Sequence, residues 1–567
     1  MDPRREGYAL QTQGRLAEAI ACYEQVVARE PGDWEIWNNL GNARRAAGDS
    51  AGAIAALVQA SLIRPDLAAI HYNLGISLAE AGRFGEAVRA LGEAVRLAPD
   101  HPGALLDLGR ALRHAKRYRE ALVSLGRAAE LAPEMPGVEM ERGRALSGLG
   151  RFDEADAAYR AALTRQPGLA AAFLERGLML ERGNRLDRLP ALLDEAAAQG
   201  VAGLPYLRAL ALEREGRLEE ALAEAREAAD DPVRRAQLIG RLADKAGDAA
   251  TAFGAHAEMN RLVAEPGSAE GAASYRTHVA ALAEMLTPAY AAGWSRGDSP
   301  PHGDSPRQGD SPRQGDSPRR APVFLVGFPR SGTTLLDTLL MGHPALHVLE
   351  EEPILQRVGE ALGDFARLPG LEAAEVRSLR ALYFAELDAL DPAARDRLVV
   401  DKLPLNILGA PLIHRLFPEA KLIFAARHPC DVVLSCFMQN FDLNDAMANF
   451  LDLGDAARLY DLVLSFWTRA REILPLEVHM VRYEDLVADT EAEMRALIGF
   501  LGLPWEAALL DHRRTVARRG PIVTPSYSQV AQPVYRRAAG RWQRYRAQLE
   551  PVLPILAPWA ERLGYST

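Results

Sequence analysis

VFLVGFPRSGTTLLDTLL, residues 323–340, runs from a short apolar stretch through a glycine-framed loop into a second apolar segment. A run that is apolar throughout suits a strand buried on both faces, and the TLLDTLLMG that follows the loop reads as a helix. Gly327, Gly332 and Thr334 stand where a Gly-x-x-x-x-Gly-Lys-Ser/Thr phosphate loop has its glycines and its hydroxyl, but Thr333 replaces the lysine. A loop without that cation is not equipped for a terminal phosphate and its magnesium. Between a strand and a helix, the N–H groups of Ser331, Gly332, Thr333 and Thr334 converge with the helix dipole on an anion. Arg330 supplies charge earlier in the loop, which suits a single phosphate or sulfate group. A tight turn that binds nothing is the plainer alternative.

Further apolar runs flank this one: RLVVD (397–401), KLIFAAR (421–427) and EVHMVRY (477–483), each followed by a helical pattern. Strands alternating with helices predict an α/β domain with a mostly parallel sheet over 321–567. Residues 297–320 read GDSPPHGDSPRQGDSPRQGDSPRR, a six-residue repeat with nothing apolar to bury. This composition predicts a disordered linker over 294–320. Upstream, Gly7, Gly41, Gly75, Gly109, Gly143 and Gly177 recur every 34 residues. Ala19, Ala53, Ala87, Ala121 and Ala155 keep the same step, as do Pro31, Pro65, Pro99, Pro133 and Pro167. This is the tetratricopeptide period, and it predicts an α-solenoid of stacked helical hairpins over 1–293, regular to about 180 and degenerate beyond.

The whole chain bounds the function. Its 567 residues are 48% hydrophobic, with no leader-like start and no run long enough to span a membrane. Three cysteines, Cys22, Cys430 and Cys436, fit neither a disulfide framework nor a zinc site, so a reducing, cytoplasmic setting is expected and no metal. A net charge of −10 argues against nucleic acid as a partner. The cations are almost all arginine; lysine occurs only at 116, 245, 402 and 421.

PRSGTT, with HP shortly after and EE beyond, resembles the 5′-phosphosulfate loop of sulfotransferases that use 3′-phosphoadenosine 5′-phosphosulfate (PAPS). The resemblance is to the protein-tyrosine sulfotransferase branch and to bacterial sulfotransferases with tetratricopeptide repeats. It covers about 322–567 and implies a P-loop-like sulfotransferase domain. It implies that Arg330, Ser331, Gly332, Thr333 and Thr334 hold the 5′ end of PAPS, and that Arg427 and Ser435 of ARHPCDVVLSCF bind its 3′-phosphate. An arginine at a strand end and a hydroxyl two helical turns on can grip one anion. Tyr483 of VRYEDLV aligns with a cofactor-pocket tyrosine, though a core tyrosine at a strand end fits equally. SYSQVAQPVYRRAAGRW resembles the family's C-terminal cofactor loop and sets Ser526 and Arg541 against the nucleotide; a solvated basic helix is the alternative.

The catalytic group implied is Arg330, Lys402 of VVDKLPLN, and Glu351 of HVLEEEP as general base. Glu350 and Glu352 flank Glu351, and His343 of GHP is a further candidate read as structural. Where the tyrosine enzymes carry basic residues after the glutamates this chain has Glu352 and Pro353, and Gln439 replaces an arginine, so an acidic tyrosine peptide is a poor acceptor. The expectation is a PAPS-dependent sulfotransferase acting on a hydroxyl or amine, its acceptor open, with the repeats binding the acceptor or a partner protein. A small-molecule kinase with an altered loop and an inactive repeat scaffold are the rivals.

Overall fold

The computed structural model describes residues 2–229, 231–292, 294, 319–511 and 539–566. Most of the expected linker, and Ser526, lie outside them. The chain divides into two compact units, Met1–Arg217 and Leu218–Thr567. The contacts therefore part well before the boundary expected near 293, and the helices after 217 cluster with the sheet.

In the first unit the 34-residue registers have direct physical causes. A Cβ on Gly41, Gly75 or Gly109 would lie 2.5 Å from the Cγ of Leu57, Leu91 or Leu125 on the paired helix, closer than real Cβ contacts come. Only glycine lets these two helices approach so nearly. Ala19, Ala53, Ala87, Ala121 and Ala155 are all fully buried. Each proline of the series directly follows a helix C-cap: Pro31 follows Glu30, Pro65 follows Arg64 and Pro99 follows Ala98, where a residue without an N–H ends the helix at no cost. Past Gly177 a 3₁₀ turn at Leu186–Arg188 and a shorter helix, Leu189–Ala198, break the phase, and Gly177 packs against Leu207 instead.

The second unit is built on a five-stranded, wholly parallel sheet: β1 (Val323–Gly327), β2 (Leu346–Glu350), β3 (Leu398–Lys402), β4 (Lys421–Ala426) and β5 (Glu477–Arg482), in the order β2-β3-β1-β4-β5. Four of these are the apolar runs of the sequence. β2 was not among them, because this edge strand mixes His347 and Glu350 with its apolar residues and is buried only in part. The central strands feed two cores in alternation: Phe324 and Val326 pack on one side with Leu422 and Phe424, while Val323 and Leu325 pack on the other with Ile423 and Ala425. The first core also takes Ala243, Ala252, Val279 and Leu282 from the helices Pro232–Ala246, Ala249–Val263 and Ser268–Met285. Those helices complete one face of the sheet. Arg330, Glu351, Lys402, Arg427 and Tyr483 all fall at the carboxyl ends of the five strands, where ligands of parallel sheets bind.

Candidate active site

The loop after β1 is held in a conformation that costs energy. Arg330 has φ 69° and Gly332 φ 94°, and the helix Thr333–Leu340 starts directly after Gly332. For Arg330 the left-handed region carries strain of about 1–3 kcal/mol, so neighbours must hold it. Arg427, one residue past β4, donates from Nη1 to the Arg330 carbonyl at 3.1 Å. The Arg330 side chain in turn donates from Nε to Ser435 Oγ, 3.1 Å away on the helix Pro429–Phe437. At Gly332 glycine is required twice, by its φ and because a Cβ would stand 2.6 Å from Tyr483 Cδ2. Tyr483 lies beneath the Arg427 guanidinium, 4.8 Å from its ring centroid, and opens the helix Tyr483–Ala488 rather than ending a strand. Arginines, glycine and tyrosine thus form one packed floor.

Beside it lies a cage of charges. Lys402, fully buried, places Nζ 2.8 Å from Glu351 Oε1, 3.1 Å from Asp337 Oδ2 and 3.8 Å from Glu350 Oε1. An ammonium taken wholly out of water needs such partners. The sheet register sets Glu350 opposite Lys402 on the neighbouring strand. The chain then turns sharply at Glu351, with φ 53° and its N–H donating to the Lys402 carbonyl at 2.7 Å, so the three adjacent glutamates diverge. Only Glu351 of the three lines the central cavity. Asp337, buried in the helix behind the loop, was missed in the sequence; an acid inside the otherwise apolar TLLDTLLM was its signal.

That cavity has a volume of about 1000 Å³, and Arg330, Gly332, Thr333, Thr334, Glu351, Arg427 and Tyr483 all face it. Ser331, Ser435 and Lys402 are buried behind this lining. Arg541, expected against the nucleotide, instead donates from Nε to Asp244 Oδ1 at 3.1 Å and reaches Met438 Sδ at 2.9 Å. Arg544 and Tyr545 converge on the same carboxylate, Tyr545 Oη at 2.6 Å, which explains the pull away from the cavity. Asp431 fixes the start of this segment by accepting from the N–H groups of Gly540 and Trp542, both at 2.7 Å. His343 has both ring nitrogens engaged, Nδ1 accepting from the Ala345 N–H at 3.1 Å and Nε2 facing the Pro504 carbonyl at 2.9 Å. It is a structural histidine.

The Asp401 carboxyl, beside Lys402 in sequence, points the other way. It accepts from Tyr383 Oη at 2.8 Å and Asn406 Nδ2 at 3.3 Å, and complete burial pushes its pKa up to about 7. Burial likewise raises Asp431, against the lowering effect of Arg427 and of the two backbone donors. Among the described residues no group of three or more His, Cys, Asp or Glu stands where it could hold a metal ion.

Residues 322–507 match the sulfotransferase family, and 4–68, 72–136 and 140–205 match the tetratricopeptide repeat. The chain carries a sulfotransferase-family domain behind tetratricopeptide repeats. The match takes in the strained loop and most of the cavity lining, while Tyr275, His278 and Leu282 precede it. An uncharacterized protein of Aquifex aeolicus is 29% identical over 263 residues, 43% of this chain and 33% of the relative. Protein-tyrosine sulfotransferase 1 of Danio rerio is 27% identical over 266 residues, 43% of this chain and 72% of the relative. The protein-tyrosine sulfotransferase of Drosophila melanogaster is 26% identical over 276 residues, 43% of this chain and 53% of the relative. The chain thus spans about a third of the Aquifex protein and about half of the Drosophila one. These matches place the domain in the sulfotransferase family. Among the described residues no helix is long and apolar enough to cross a membrane.

Proposed function

We propose that the chain is a PAPS-dependent sulfotransferase that transfers a sulfuryl group to a hydroxyl or amine, with the repeats engaging the acceptor or a partner protein. The observation that carries this reading is the convergence of Arg330, Arg427 and Glu351 on one cavity around a strained loop that lacks the triphosphate lysine. The glycine cradle and the two arginines fit a ligand with two separate anionic groups. The loop N–H groups and Arg330 hold the 5′ end and Arg427 the 3′-phosphate, which Ser435 joins by releasing its bond to Arg330.

PAPS supplies, when bound, a sulfuryl group on a phosphosulfate bond. Glu351, at the cavity wall, takes the acceptor's proton as its oxygen or nitrogen bonds to sulfur and the sulfur–oxygen bond to the phosphate breaks. Arg330 offsets the charge left on that phosphate. Lys402 holds Glu351 in place from behind, and a direct contact with the transferred group requires it to leave its cage. The repeats and their period support a binding role because such stacked hairpins expose a continuous side-chain surface.

The test is ligand choice by thermal shift. 3′,5′-Bisphosphoadenosine should raise the melting temperature more than ATP with magnesium, and Arg427→Ala should abolish most of that gain while sparing adenosine 5′-phosphosulfate, which has no 3′-phosphate. An equal or larger shift with ATP and magnesium would favour a kinase and overturn the proposal.

A further inference from the structure

If the domain works as proposed, the cavity must admit a second molecule beside the nucleotide, and the remaining lining selects it. At about 1000 Å³ it lies at the upper end of small-molecule pockets, which run roughly from 300 to 1,000 Å³. Its two arginines both sit at the anion-binding loop. Elsewhere the walls are largely apolar, with Leu355, Phe365, Leu403, Leu405, Phe441 and Met447 facing the space among a few polar side chains. The acids there are Glu360, Asp364 and Asp445, all solvent-exposed. Among the described residues none of these three carboxylates is ion-paired: Glu360 accepts only from Gln356 Nε2 at 3.2 Å, and Asp364 caps a short 3₁₀ helix by accepting from the Ala366 N–H at 2.8 Å. Beyond Arg330, Arg427 and Glu351 at the loop, the charged side chains of the described lining are these three carboxylates, and His278 is its one imidazole.

We infer that the acceptor is an apolar hydroxyl compound bearing a positive charge at the end remote from its hydroxyl. Its hydroxyl reaches Glu351 at the loop, its body lies along the leucine and phenylalanine walls, and its cation meets Glu360, Asp364 and Asp445. An acidic peptide would bring carboxylates against these three, where the described lining has no Lys or Arg beyond the pair at the loop, and like charges so placed repel wrong partners. The acceptor class thus departs from an acidic tyrosine peptide. The inference rests on the sulfotransferase reading.

Three eight-carbon alcohols that differ only at the far end test it: 8-aminooctan-1-ol, octan-1-ol and 8-hydroxyoctanoate. Each is titrated by calorimetry into the full chain, which has first been titrated to saturation with 3′,5′-bisphosphoadenosine. The amino alcohol should bind about tenfold tighter than the hydroxy acid, with octanol between them. Shortening the amino alcohol should cost about fourfold in affinity per methylene removed from the apolar wall. In the triple variant Glu360→Gln, Asp364→Asn, Asp445→Asn, the three affinities should fall within about twofold of one another, the asparagine at 364 preserving its cap. The inference is overturned if the hydroxy acid binds as well as the amino alcohol, if none of the three binds, or if the triple variant keeps the wild-type order. Failure of 3′,5′-bisphosphoadenosine to bind in the first titration removes the sulfotransferase reading itself, whereas normal nucleotide binding with an inverted charge order removes only the acceptor class.

Discussion

Lys402 sits among Asp337, Glu350 and Glu351, and the three carboxylates differ in what they give up to be there. Asp337 is fully buried and depends on the lysine; Glu351, with 39% of its side chain exposed, lies at the boundary with the cavity. Its exposure suits proton transfer, and its bond to Lys402 fixes the direction in which it faces. Glu351→Gln should lower turnover by about 100-fold or more, the usual scale for a positioned base, while calorimetric affinity for 3′,5′-bisphosphoadenosine stays near wild type. Lys402→Met should lower both turnover and stability, because an uncompensated buried charge such as Asp337 costs about 3–5 kcal/mol. Adding Asp337→Leu should recover the melting temperature without recovering turnover. Recovery of both would reduce Lys402 to a structural residue. Residue roles of this kind are partly legible in the sequence: a lysine retained in an arginine-rich chain stands out, whereas its partner Asp337 shows there only as an acid inside an apolar helix, and their pairing needs the sheet and the loop helix to meet.

Within β3, adjacent residues face opposite sides of the sheet, so Lys402 enters the charge cage while Asp401 enters a separate buried niche with Tyr383 and Asn406. The niche gives this strand a pH dependence of its own. Because burial raises the folded-state pKa of Asp401 from 3.8 to about 7, the folded chain holds a proton there that the unfolded chain has released. Its contribution to stability is fully present below about pH 4 and is lost as pH rises towards 7. In urea melts at pH 5 and pH 8, wild type should lose more stability across that interval than Asp401→Asn does. Equal losses would show that Asp401 is charged in the fold at both values. The strands themselves were read from sequence where burial on both faces left them apolar, as in β1 and β4. The edge strand β2 was not, since one exposed side admits polar residues, and neither were the partners of the helices after 217. Asn260, for example, donates to the carbonyl of Phe437 at 2.9 Å, 177 residues away, a pairing that no local pattern encodes.

At the scale of the whole molecule, the division at Arg217/Leu218 changes which piece can stand alone. A fragment of residues 218–567 should melt cooperatively and bind 3′,5′-bisphosphoadenosine. A fragment of 321–567 lacks Asp244, Val279 and Leu282, exposes part of the first core, and should lose that cooperative transition. Cooperative melting and full nucleotide affinity in the shorter piece would return the boundary to the linker. The repeat period was plain from sequence because every unit writes the same close helix approach, whereas the boundary was not, because amphipathic helices look alike whether they pack on a repeat or on a sheet.

The three donors on Asp244 come from residues 297 to 301 positions further along the chain. On a ribosome making about 5–20 residues per second, Asp244 emerges about 15–60 seconds before Arg541 and Tyr545. The repeats close against neighbours already synthesised, so each hairpin can settle as it appears. The sheet unit cannot: its helices must wait beside an unfinished partner, exposing apolar surface over that interval, and this part of the chain is where a nascent protein would call on chaperones.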